Sequence, residues 1–118
     1  MKLLFVYNAN SGKLNLYKDI AHKIWSPKTY PCSLCAVTHG VFREREEWKS
    51  YREAADLDMH FYHTDEFLDA YRSKWLQKFD FPVILEENQE GLSVFISKEE
   101  LDEIEDAKQL ITMIKDRK

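Results

Sequence analysis

The 118-residue sequence predicts an α/β fold: a roughly four-stranded mixed sheet flanked by helices, built as a single domain over residues 1–118. Three observations lead to that class. Leu3-Leu4-Phe5-Val6-Tyr7 is a continuous apolar run, the pattern of a strand covered on both faces. Strand-like and helix-like periodicities then alternate along the chain, which implies parallel pairing through crossover helices. Late in the sequence, two short apolar runs flank Asn88-Gln89-Glu90-Gly91, which reads as a hairpin and adds an antiparallel edge.

Each element has its own signal. Residues 2–8 read as the first strand, ended by Asn8-Ala9-Asn10-Ser11-Gly12. Over residues 14–25, Leu16, Tyr17, Ile20, Ala21, Ile24 and Trp25 recur at helical spacing opposite Lys18, Asp19, His22 and Lys23. Ser26-Pro27 stops that helix, because the residue before a proline disfavours the α region. Residues 28–40 are expected to be irregular. They carry Cys32 and Cys35, and the following Ala36-Val37-Thr38-His39-Gly40 is a poor helix start. Residues 43–55 form a helix burying Trp48, Tyr51 and Ala55.

Residues 57–64 alternate Met59, Phe61 and His63 against Asp58, His60 and Tyr62, as a strand does. Thr64 or Asp65 caps the next helix, with an apolar stripe of Phe67, Leu68, Tyr71, Trp75 and Phe79. Phe81-Pro82 leads into a strand at 83–86, and the chain returns along 92–96. Ser97 and Glu100 have capping-box spacing and open one final helix with the stripe Leu101, Ile104, Ala107, Ile111 and Ile114.

Composition narrows the function classes. Hydrophobic residues at 44% and aromatics at 14% supply a real core, which argues against disorder. The early apolar run is far shorter than the roughly 18 residues a membrane span requires, and it lacks the flanks of a signal peptide. Two cysteines make one disulfide at most, so this is no disulfide-stapled secreted scaffold. These features predict a soluble, cytoplasmic chain with no membrane partner. The net charge of −4 divides unevenly: residues 1–43 carry +5 and the remainder −9. An acidic chain is poorly suited to neutralising phosphates, so no nucleic-acid partner is expected. No carboxylate occurs between Asp19 and Glu44, the interval holding both cysteines, His22 and His39. A thiolate there meets few like charges, which favours a lowered thiol pKa.

Cys32-Ser33-Leu34-Cys35 is the strongest chemical signal. Two intervening residues let the sulfurs meet on one turn, as a redox dithiol or as two metal ligands. A zinc site would recruit His39 and His22, and plain buried thiols are the third reading. Asn8-Ala9-Asn10-Ser11-Gly12-Lys13-Leu14 lies where a phosphate loop belongs. Tyr7 replaces its first Gly, however, and Leu14 replaces the hydroxyl that would hold magnesium. GTPase chemistry is therefore not expected, and the segment is left as a turn or a small-anion site. His60 and His63 fall on opposite faces of a strand and cannot readily share a metal. His63 is expected at a strand end or in the core, hydrogen-bonded. Glu46-Glu47, Glu86-Glu87 and Glu99-Glu100 read as solvated faces.

The element order resembles that of the thioredoxin-like superfamily, whose core is βαβ followed by αββα. The likeness is strongest over residues 58–115, where Phe81-Pro82-Val83-Ile84 stands at the position of that family's cis-proline beside its redox site. The resemblance implies a thiol–disulfide oxidoreductase or redox sensor acting on a protein thiol or disulfide, with no cofactor. Cys32 would be the nucleophile, Cys35 the resolving thiol, and Pro82 the residue shaping the partner contact. Two departures accompany it: a predicted helix separates the first strand from the dithiol, and Pro31 stands between Tyr30 and Cys32. The segments Asn8-Ala9-Asn10-Ser11-Gly12 and 26–35 are also similar to an uncharacterised bacterial family, some of whose members are labelled GTPase. The alternative is a non-catalytic binding module that holds a protein partner or small anion near residues 10–40, its cysteines structural or metal-bound.

Overall fold

A computed structural model describes residues 1–8, 32–38, 44–71 and 79–118. Their elements, in chain order, are β1 (Lys2–Tyr7), α1 (Ser33–Thr38), α2 (Glu46–Ala54), β2 (Asp58–His63), α3 (Thr64–Ala70), β3 (Val83–Asn88), β4 (Gly91–Ile96), α4 (Lys98–Asp102) and α5 (Ala107–Arg117). The expected helix over 14–25 lies outside the described residues, as do Trp75 and the segment from Ala9 to Leu14.

The strands form one mixed sheet in the order β2-β1-β3-β4. β1 runs parallel to β2, with Leu3 beside Met59 and Tyr7 beside His63. It runs antiparallel to β3, with Lys2 beside Glu87 and Val6 beside Val83. β3 and β4 form the expected hairpin. Its two-residue turn is tightened by Asn88, whose side-chain oxygen accepts from Glu90 N–H at 2.8 Å, and Gly91 adopts the positive φ of 125° that closes it.

Central position explains the burial of β1, because helices cover both its faces. Leu3, Phe5 and Tyr7 pack with Ile84 and Ile96 beneath Leu34, Val37, Trp48, Leu101, Leu110 and Ile114. Leu4 and Val6 face the other way, packing with Val83, Leu85 and Phe67 of α3. Burying each large apolar side chain contributes about 1.5–3 kcal/mol. The α/β class with a four-stranded mixed sheet and flanking helices is therefore as the apolar patterning predicted. The parallel crossover pair and the hairpin also follow that prediction, whereas the antiparallel β1–β3 pair was not part of it.

Several local expectations need correction. Residues 33–38, expected to be irregular, form α1. The helix is too short to stand by itself, and burial of Leu34, Cys35, Val37 and Thr38 holds it against the sheet. Thr38 satisfies its buried hydroxyl by donating to Leu34 C=O at 2.7 Å. Arg45 closes the far end, its backbone N–H donating to Thr38 C=O and its Nε–H to Ala36 C=O. On α3, Leu68 is 48% exposed rather than buried; only Phe67 fully faces the sheet from that turn. The cap of α3 is His63 rather than Thr64 or Asp65.

The single final helix is broken in two. Ser97 and Glu100 do form the predicted capping box, but Asp106 starts a second helix by accepting from Gln109 N–H at 2.9 Å. The break shifts the helical phase, so Leu110 is buried and Ile111 only partly so. Two glutamates expected to be merely solvated hold the fold together. Glu87 pairs with Lys2 at 2.9 Å and accepts from Tyr71 OH at 2.8 Å. Glu100 accepts from Ser97 N–H and from the Arg117 guanidinium, which also donates to Phe95 C=O.

Candidate functional site

Cys32 immediately precedes α1, and its carbonyl accepts the first helical hydrogen bond, from Ala36 N–H at 3.0 Å. It therefore occupies the N-cap position, where a side-chain acceptor reaches the amide three residues on. Sulfur plays that part here: Cys32 Sγ accepts from Cys35 N–H at 3.2 Å. A second donor arrives from the end of β1, where Asn8 N–H points at the same sulfur from 3.3 Å. The same cap brings Cys35 one turn along to Cys32, with the two Cα atoms 5.2 Å apart, and the pair is joined as a disulfide.

The two cysteines differ in access. Cys32 is 0% exposed and Cys35 7%. Both belong to the core layer that contains Tyr7, Leu34 and Trp48. The residue named as nucleophile, Cys32, thus presents no surface in the disulfide-bonded state. Bonded to each other, the sulfurs also offer no thiolate to a metal in this state. His22 and His39, the other ligands considered for zinc, lie outside the described residues. Among the described residues, no three His, Cys, Asp or Glu side chains group to hold a metal ion.

Among the described residues, the polar side chains of α1 have partners. Ser33 Oγ donates to Asp102 Oδ1 at 2.8 Å, tying α1 to α4. Lys98 neutralises the same carboxylate at 2.7 Å. The hydrogen bonds from Lys98 and Ser33 lower the pKa of Asp102 against the opposing effect of burial. Tyr7, buried beside α1, has its phenol pushed well above the ordinary range by desolvation, so it remains protonated.

The sheet brings several candidates to one end. In the parallel pair β1–β2 the chain leaves at Asn8 and at His63, and crevices outside such strand ends are where α/β sheets bind ligands. Thr64 Oγ1 donates back to Tyr7 C=O at 2.7 Å, closing that end. His63 is exposed, as a strand-end histidine, and pairs through Nδ1 with Glu66 at 2.6 Å. The hydrogen bonds from His63 backbone and side chain hold the Glu66 carboxyl below its usual range. His60 has its own partner, Asp58 at 2.8 Å, so the two histidines serve separate carboxylates. Pro82 is buried and follows a cis Phe81–Pro82 peptide bond. It directly precedes the Val6–Val83 pair, and so flanks the end of β1 from which Asn8 reaches Cys32.

The dithiol spacing is thus legible in the sequence, but the donors to its sulfur are not. Both are backbone N–H groups, which every residue but proline carries, so no side-chain pattern announces them. The one available signal is the three-residue interval from Cys32 to Cys35, which is also the interval of an N-cap bond. The phosphate-loop comparison rests on the stretch from Asn8 to Leu14, of which only Asn8 is described. Among the described residues, no helix is long and apolar enough to cross a membrane. Searched against protein-family models, curated proteins and solved structures, the chain matches none.

Proposed function

We propose that this chain is a thioredoxin-like thiol–disulfide redox protein whose Cys32–Cys35 bond opens and closes in exchange with a thiol-bearing partner. The observation that carries the reading is the double donation to Cys32 Sγ, from Asn8 and Cys35 N–H groups. Once the bond is reduced, those donors face a thiolate, and hydrogen bonds to a charged group are the strong ones. The six-residue α1 adds little dipole, so the local donors do this work rather than the helix as a whole. Two further features support the thioredoxin-like assignment. The βαβ half, with parallel β1 and β2, is followed by a helix, an antiparallel hairpin and closing helices. Pro82 also lies at the sheet end that holds the dithiol, and in this reading it shapes the contact with an incoming chain.

The test is a titration of the folded protein in defined glutathione buffers, with alkylation and mass spectrometry reading the state of the pair. Reversible opening between about −270 and −120 mV, the span of known oxidoreductases, is the expected result. A bond still closed at about −300 mV is a structural disulfide and refutes the proposal.

One observation favours a second reading, a non-catalytic binding module with a structural disulfide: both cysteines are buried in the core layer. That reading expects the pair to stay closed throughout the titration, and it expects Cys32→Ser to leave partner affinity intact.

A further inference from the structure

Resting on the redox reading above, we infer that exchange begins at Cys35 and that Cys32 is the sulfur that leaves, the reverse of the order the sequence motif implies. Two independent asymmetries point this way. The first is access: Cys32 presents no surface, and what the pair exposes belongs to Cys35. An incoming thiolate must approach a sulfur along the S–S axis, and the small exposed area of the pair favours that approach on the Cys35 side. The second is charge stabilisation. Cys32 Sγ accepts two backbone N–H groups before the bond breaks, so the charge released onto it is met without rearrangement. Exchange is faster when the departing thiolate is the more stable one.

The step balances as follows. A partner thiolate RS⁻ attacks Cys35 Sγ, a Cys35–S–S–R bond forms, the Cys32–Cys35 bond breaks, and the electron pair leaves on Cys32 as a thiolate. A second partner thiolate then attacks the R sulfur, releasing R–S–S–R and a Cys35 thiolate. The protein disulfide gains two electrons and the two partner thiolates are oxidised to one disulfide; the protons lost when the partner thiols ionised return through solvent to the protein sulfurs, Cys35 first. Run backwards, the Cys32 thiolate resolves a mixed disulfide held on Cys35. Burial therefore suits Cys32, because its attack is always intramolecular.

The experiment uses glutathione and the wild-type chain. Oxidised protein is mixed with reduced glutathione and quenched with acid at short times, and fragmentation between Ser33 and Leu34 locates the adduct. The expected result is glutathione on Cys35 with Cys32 free. In the single variants, adduct formation from oxidised glutathione should be about tenfold faster on Cys35 in Cys32→Ser than on Cys32 in Cys35→Ser. An adduct on Cys32 in the wild type overturns the assigned order and leaves the redox reading standing. A wild-type disulfide that does not open in these buffers overturns both. Because the decisive mapping is made on the wild type, an unfolded variant does not blunt it.

Discussion

If the Cys32–Cys35 bond is a working redox pair, opening it must leave the protein folded, and the structure sets how much that can cost. The two residues are three apart in sequence, so the bond closes a very short loop. Loop closure of that length removes only about 6 cal/mol/K from the unfolded chain, or about 2 kcal/mol at 25 °C. For a chain of 118 residues, the entropy of unfolding is about 0.25 kcal/mol/K, so the reduced form should melt about 8 °C lower. The N-cap geometry survives reduction, since a free Cys32 sulfur still accepts from Cys35 and Asn8 N–H groups. The measurement is paired urea unfolding of the oxidised and reduced protein, read by tryptophan fluorescence at neutral pH. Two cooperative transitions of similar steepness, about 2 kcal/mol apart, are expected. A reduced protein that loses more than about 4 kcal/mol, or unfolds without cooperativity, would refute the reasoning. In that case the bond would be holding α1 in the core rather than merely closing a turn.

Other residues carry separable predictions. Arg117 and Ser97 hold the Glu100 carboxyl at about 2 instead of 4.5. A depressed carboxylate contributes stability fully above the unfolded value and loses it as pH falls through the folded one. Glu100→Ala should therefore cost about 1 kcal/mol at pH 7, the shift being discounted for a solvent-screened pair. In urea titrations the gap from wild type should close between pH 4.5 and 2, and a gap constant with pH would contradict the assignment. On α3, Phe67→Ala should cost about 3–5 kcal/mol and its exposed neighbour Leu68→Ala less than about 0.5 kcal/mol. Equal losses in thermal melts would show that the facing of this helix is wrong. Gly91→Ala should lower stability by about 1–2 kcal/mol from backbone strain alone. No atom lies near the added Cβ, so Gly91→Ser should lose a similar amount, and a larger loss for serine would point to a clash instead.

Much of the fold was legible because hydrophobic periodicity is local. The run from Leu3 to Tyr7 announced a strand covered on both faces, and the alternation around Phe61 announced β2. Asn88 and Gly91 marked the hairpin turn, and Ser97 with Glu100 marked a helix start. Each signal depends on residues within a few positions of each other, where spacing and chemistry suffice. That the sheet is mixed, with a parallel crossover and an antiparallel hairpin, followed from the order of those signals; the placing of β1 between β2 and β3 did not.

What escaped the sequence is what distant residues decide. α1 has β-branched residues and no helical pattern long enough to register, yet it forms because Leu34 and Val37 find a sheet to cover. The final helix reads as one stripe, but Asp106 can cap as well as decorate, and packing of Ile104, Ala107 and Leu110 selects the broken form. Glu87 and Glu100 read as solvated charges until Lys2, Tyr71 and Arg117 arrive from remote parts of the chain.

The same division holds at the dithiol. By itself the sequence determined that two cysteines sit at a spacing able to close a bond, in a stretch poor in carboxylates. Only the tertiary structure decided that Cys32 caps a helix, that Asn8 at the end of β1 donates to its sulfur, and that Cys32 is buried more completely than Cys35. Spacing along a chain limits which atoms can meet, whereas burial and backbone donors depend on which surfaces the folded sheet and helices bring together.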